Sequence, residues 1–177
     1  MAQVRGRRPQ ALLRSRPGAA APGRPGHITV YVVRHAHAGD RSSWSGDDRL
    51  RPLTDKGWRQ ATALAETLGG VERLLSSPYL RCRQTLEPLA GRLGLSIGDE
   101  ERLVEGTPFS QALALITAPG TSAALSTHGD IVDDLVTHVI RRGLVTPAAA
   151  GSSKASTWQL EVADGEITSA RYIPPPR

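Results

Sequence analysis

The chain has one cysteine, Cys82, among its 177 residues, so no intrachain disulfide can form. That excludes a disulfide-stapled scaffold and points to a reducing, cytoplasmic setting. Aromatic side chains are scarce, at 4%. The core must therefore rest on Leu, Val, Ile and Ala. Trp44, Trp58 and Trp158 read as packing residues rather than as a platform for stacked bases. No run is long and apolar enough to span a bilayer, so no membrane partner is expected. No Gly-x-x-x-x-Gly-Lys-Ser/Thr loop occurs, so a mechanism driven by a nucleoside triphosphate has no support. Lysine is nearly missing too: only Lys56 and Lys154 stand among 22 basic residues. That arginine excess reads as coding bias and carries no structural conclusion.

Acid is missing from residues 1–26, which hold Arg5, Arg7, Arg8, Arg14, Arg16 and Arg24. The formal net charge of +5 belongs to this segment, because the remainder has 16 basic against 17 acidic residues. The body is nearly neutral, so the folded domain is not expected to bind nucleic acid. Residues 1–26 are rich in Pro, Gly and Ala without periodicity, and read as a disordered basic extension. Ala11-Leu12-Leu13 is too short for the apolar centre of a signal peptide. Deletion of residues 2–26 is expected to leave folding and turnover intact.

From His27 onward, strand and helix signals alternate. Ile28 to Val33 reads as a strand, followed by a polar loop over 38–53. Thr54 suits the N-cap of a helix over 55–68, with Ala61, Leu64, Ala65 and Leu68 on one face and Gly69-Gly70 as the stop. Val71 to Leu75 reads as a second strand. Pro78 opens a helix running to Leu93 and Gly94. A minor strand over 95–97, a helix from Pro108 to Thr117, a strand over 122–126 and a helix over 130–142 follow. Asp164-Gly165 marks a hairpin between 156–162 and 166–172. Strands separated by helices imply a three-layer α/β/α domain with a mainly parallel sheet. The hairpin adds antiparallel C-terminal edge strands. The domain is expected over 27–173, with 174–177 as a tail.

Three strand ends carry unusual side chains. They deliver Arg34-His35, then Ser76-Ser77-Pro78-Tyr79-Leu80-Arg81, then Thr127-His128-Gly129. In a parallel sheet these ends share one edge, where ligands bind in open α/β folds. Arginine offers bidentate, permanent charge matched to phosphate oxygens. Neutral histidine is a competent nucleophile near pH 7. The pair His35 and His37 has a His-x-His spacing, but a metal site needs three or four ligands and no carboxylate or cysteine cluster joins them. No metal is expected.

Five blocks appear in a fixed order: Val33-Arg34-His35-Ala36; Arg51-Pro52-Leu53-Thr54 with Gly57 and Gln60-Ala61; Ser76-Ser77-Pro78 with Arg81 and Gln84-Thr85; Leu103-Val104-Glu105; and Ser126-Thr127-His128-Gly129. Through them the chain, from about His27 to Tyr172, resembles the histidine phosphatase superfamily, with its phosphoglycerate-mutase-like fold. It is most similar to the small SixA-type phosphohistidine phosphatases. The resemblance implies a cofactor-independent phosphatase in which His35 attacks phosphorus and becomes phosphohistidine. Arg34 and Arg81 would clamp the phosphoryl oxygens, and His128 would complete the cage. Glu105 would be the general acid, with Glu100 and Glu101 as neighbouring alternatives. Arg51 and Gly129 would bind phosphate, with a surface position flanking the helix as the other reading of Arg51. Arg41 reads as pairing locally with Asp40.

The short gap between Pro88 and Ser122 leaves little room for a lid, which suits a phosphoprotein or a variety of small phosphoesters. The alternatives are a small-molecule phosphomonoesterase acting on nucleotides or sugar phosphates, and a non-catalytic phosphate-binding module. The oligomeric state stays open.

Overall fold

The computed structural model describes residues 27–177. The expected extension over 1–26 lies outside the described residues. Six strands form one sheet: β1 (Ile28–Arg34), β2 (Arg73–Ser76), β3 (Ile97–Asp99), β4 (Ala123–Thr127), β5 (Thr157–Ala163) and β6 (Glu166–Ile173). The order across the sheet is β3-β2-β4-β1-β5-β6. β1, β2, β3 and β4 pair in parallel, while β5 and β6 add antiparallel edge strands. The four helices are α1 (Asp55–Thr67), α2 (Leu80–Leu93), α3 (Phe109–Thr117) and α4 (Gly129–Arg141). No described helix is long and apolar enough to cross a membrane.

The two-residue period of β1 divides the core. Tyr31 and Val33 face a cluster with Ala61, Leu64, Leu86 and Leu89 from α1 and α2. Val30 and Val32 face the opposite cluster, with Leu115, Ile116, Leu135 and Val139 from α3 and α4. The central strands are covered on both sides, and β4 is buried at all five positions. This is the three-layer α/β/α arrangement that the sequence implies.

Boundaries move where capping or pairing decides. β2 begins at Arg73, two residues later than the apolar run suggests, because Glu72 and Arg73 both donate to the Ser122 carbonyl (2.9 and 3.2 Å) before the ladder starts. Val71 is buried in the core but unpaired as a strand. α2 begins at Leu80, so Pro78 belongs to the preceding turn. Thr54 caps α1 as expected, its hydroxyl accepting from Gly57 N–H (3.2 Å).

α1 also docks on the exit of β1. Thr54 N–H donates to the His37 carbonyl (3.0 Å), and a Cβ on Gly57 would stand 2.1 Å from that same oxygen. Any larger residue at 57 would lift the helix from the segment that carries His35.

Candidate active site

The parallel register places Arg34 beside Thr127 and Ser76 beside Ser126. The next residues along each strand are therefore His35, His128 and Ser77, at one edge of the sheet. His35 N–H donates to the Thr127 carbonyl (2.9 Å), which fixes the backbone turn. The His35 and His128 rings meet edge to face, with centroids 5.6 Å apart.

The proton on His35 is placed by its partner. Nδ1 lies 2.8 Å from the Ala36 carbonyl oxygen, which can only accept, so Nδ1 carries the hydrogen. Nε2 keeps the lone pair. Burial lowers the imidazole pKa; the Ala36 hydrogen bond opposes this, and the Arg81, His128 and Arg34 charges lower it further, to about 3. At neutral pH His35 is an uncharged base with one nitrogen free to attack.

His128 is 2% exposed. Its Nε2 lies 2.8 Å from Ser77 Oγ, and its Nδ1 lies 3.4 Å from Arg81 Nη2 and 3.6 Å from Glu105 Oε2. Arginine can only donate, so Nδ1 is unprotonated and Nε2–H faces the serine. Burial and the Arg81 charge lower its pKa to about 4, against raising contributions from Glu105, Asp130 and Asp48. Cys82 Sγ lies 3.6 Å from Nε2, its thiol pushed up to about 12 by burial.

Arg81, on the first turn of α2, is 1% exposed. Nη1 donates to the Asp48 carbonyl (2.8 Å), and Nη2 faces the Asp48 carboxylate (3.1 Å) and Glu105 (3.3 Å). Its guanidinium carbon stands 4.7 Å from the centre of the Tyr79 ring. Arg34 Nη1 donates to the Ser152 carbonyl. Nε–H of both Arg34 and Arg81 is buried without a protein acceptor. Buried donors are normally paired, and two of them on cations beside a neutral histidine suit an anion.

These residues line one cavity of about 400 Å³, together with Arg41, Arg51, Glu105, Gly129 and Lys154. His35, His128, Glu105, Arg34, Arg81, Arg51 and Gly129, named from the sequence for catalysis or phosphate binding, all reach it. Arg51 is buried rather than a surface residue. Its Nε donates to Asp48 Oδ1 (2.8 Å) and its Nη1 to the Ala38 carbonyl (2.8 Å). Arg41 does not pair with Asp40. Its Nη2 donates to both oxygens of Glu105 (2.8 Å each), 64 residues away, and to Asp48 (2.9 Å). Glu100 is turned away and paired with Arg102 (2.6 Å), and Glu101 lies near Arg49 (3.9 Å). Of the three acids, Glu105 is the one that lines the cavity.

Sequence reasoning missed Asp48 and Lys154. Asp48 stands three residues before Arg51, a spacing that brings the two together in a 3-10 turn over 48–50. Lys154 had no signal beyond the rarity of lysine. The polar stretch 38–53 is bound across the sheet edge through Arg41–Glu105 and Asp48–Arg81.

Residues 30–107 match the Histidine phosphatase superfamily (branch 1). The chain belongs to the histidine phosphatase superfamily. It is 38% identical over 157 residues to an 8-oxo-(d)GTP phosphatase of Mycolicibacterium smegmatis, covering 84% of this chain and 48% of that protein. It is 34% identical over 108 residues to the phosphohistidine phosphatase SixA of Escherichia coli, covering 55% of this chain and 65% of that protein. The chain thus spans about half of the first relative and under two thirds of the second.

Solved structures of the superfamily share the fold. A protein histidine phosphatase SixA complexed with tungstate superposes with a TM-score of 0.62 at 24% identity, over 84% of this chain and 96% of that one. A mycobacterial glucosyl-3-phosphoglycerate phosphatase gives 0.59 at 18%, over 83% and 96%.

Proposed function

We propose that this chain is a cofactor-independent phosphatase that works through a phosphohistidine on His35. The observation that carries this reading is the tautomer of His35. Its Nδ1–H is held by the Ala36 carbonyl, which leaves the Nε2 lone pair in a cavity shared with Arg34, Arg81 and His128.

Nε2 attacks phosphorus as the bond to the leaving oxygen or nitrogen breaks. Arg34 and Arg81 take the phosphoryl oxygens, supported by Arg51 and by the N-terminus of α4 at Gly129. The negative oxygens of the bound phosphoryl group draw a proton from water onto His128 Nδ1, which then donates to one of them and closes the cage. The Glu105 carboxylate takes up the proton of the substrate phosphate monoanion as it binds and gives it to the leaving atom. In the second half, water attacks the phosphohistidine, Glu105 takes the water proton, and the N–P bond breaks to release phosphate. Positioning and charge stabilisation dominate phosphoryl transfer, which accounts for the number of cations around one imidazole.

The substrate is a phosphohistidine protein, as with the SixA relative, or a small phosphoester. The cavity volume and the 8-oxo-(d)GTP phosphatase relative favour the second reading. A kinetic panel comparing a phosphohistidine protein with nucleotides separates them. A cytoplasmic location is supported by the lone, buried Cys82.

The deciding experiment is to trap the phosphoenzyme with labelled substrate and map the acid-labile phosphate. Label on His35, lost in His35→Asn, is the expected result. A catalytically intact His35→Asn variant would end the proposal, and phosphate binding without turnover would mark a binding module.

A further inference from the structure

The cations around the cavity are not alike. Arg41, Arg51 and Arg81 are each tied to Asp48, and Arg41 and Arg81 also to Glu105. Arg34 is held by Ser152. Lys154 lines the same cavity, yet among the described residues its ammonium has no ion pair and no hydrogen bond.

The backbone that presents Lys154 is tightly fixed. Ala155 is fully buried at φ +63°, a conformation that non-glycine residues keep only where their surroundings over-determine it. Its N–H is shared between the carbonyls of Arg34 (3.1 Å) and His35 (3.2 Å). Arg34 N–H donates to the Ser156 carbonyl (3.0 Å), and Trp158 Nε1–H to that of Gly151 (2.9 Å). The loop is therefore anchored on the residues that carry the nucleophile. A solvated surface lysine needs no such support.

The cavity is also asymmetric in charge. Asp130 and Asp133 of α4 line it, and Asp130 accepts from Gly106 N–H (2.6 Å). Lys154 and Asp40 line it as well, with no ion pair between them. At about 400 Å³ the cavity has room for a leaving group as well as a phosphoryl group.

We propose that Lys154 binds a second phosphate of the substrate, adjacent to the one transferred to His35. The preferred substrate class is then a small compound with two linked phosphates, a phosphoanhydride. A phosphohistidine on a protein has a neutral imidazole as leaving group and offers Lys154 no adjacent anion. This deepens the phosphatase reading and rests on it for turnover, but not for binding.

Calorimetric titration of the full chain with inorganic pyrophosphate and with orthophosphate tests the subsite directly. The wild type should prefer pyrophosphate. Lys154→Met should lower that preference roughly tenfold, the effect of losing one charge-assisted hydrogen bond, and Lys154→Arg should retain it. In turnover, kcat/KM for a nucleoside diphosphate relative to p-nitrophenyl phosphate should fall by a similar factor in Lys154→Met. Equal affinity of the wild type for both anions overturns the proposal, as does an unaltered preference in Lys154→Met. If the wild type turns over neither substrate while its pyrophosphate preference depends on Lys154, the subsite stands and the phosphatase reading falls.

Discussion

The guanidinium of Arg34 rests on the α-carbon of Gly129. A Cβ at that position would stand 2.7 Å from Nη2 and 2.8 Å from Cζ. The last residue of β1 and the first of α4 thus share a space that admits no side chain. Gly129→Ala should displace Arg34 and lower kcat/KM roughly 100-fold, the cost of a lost transition-state donor. Alanine is the better helix former by about 1 kcal/mol. A large drop in Tm is therefore not expected, and thermal melting beside kinetics separates misplaced arginine from lost structure.

Asp48 organises three arginines from one exposed turn. Its carboxylate meets Arg51 (2.8 Å), Arg41 (2.9 Å) and Arg81 (3.1 Å). Burial raises its pKa, but hydrogen bonds from Arg51 and Arg41 and the charges of Arg81 and Arg51 outweigh this and bring it to about 2. A depressed carboxyl pKa stabilises the fold above the unfolded value and ceases to do so as pH falls through the folded one. The Tm difference between wild type and Asp48→Asn should be full above about pH 4 and close toward pH 2. The same variant should lower kcat/KM roughly tenfold through looser arginines, an effect of one charge-assisted contact.

The two buried histidines act in the same direction as Asp48 but at higher pH. Their folded pKa values are lowered from 6.5, to about 3 for His35 and about 4 for His128. The unfolded chain binds more protons between those values, so stability from their neutral burial is full above pH 6.5 and declines as pH falls below it. Tm should drop from pH 6.5 toward pH 4, and less steeply in His128→Asn. Single-turnover phosphorylation should stay level from pH 7 down to about pH 5, since the free nucleophile is already unprotonated. A fall with a midpoint near 6.5 would show that His35 titrates as an ordinary imidazole.

The alternation of strands and helices and the convergence of Arg34, His35, Arg81 and His128 were legible because local signals governed them. Apolar runs ended in charged residues, helices followed with caps, and parallel strands had to share an edge. Glu105 was legible through resemblance, not geometry. Asp48 and Arg41 were not, because a polar loop has no period, and pairing across 64 residues leaves no local trace. The start of β2 was misread because burial and strand pairing part company at Val71. Lys154 depends on the left-handed turn at Ala155, which no glycine announced.

Glu105 stands between Arg41 (2.8 Å) and Arg81 (3.3 Å), with His128 Nδ1 at 3.6 Å. That position allows two effects of Glu105→Gln, and they separate in kinetics. Removal of a negative charge beside two arginines should favour anion binding, so KM should fall or hold. Loss of the proton donor should lower kcat according to the leaving group. An alkyl phosphate, whose alkoxide needs protonation, should lose roughly 100-fold or more. For p-nitrophenyl phosphate, whose leaving group departs unaided, the loss should be under about tenfold. Equal losses on both substrates would make Glu105 a positioning residue for Arg81. Unchanged hydrolysis of the alkyl phosphate would remove it from proton transfer altogether.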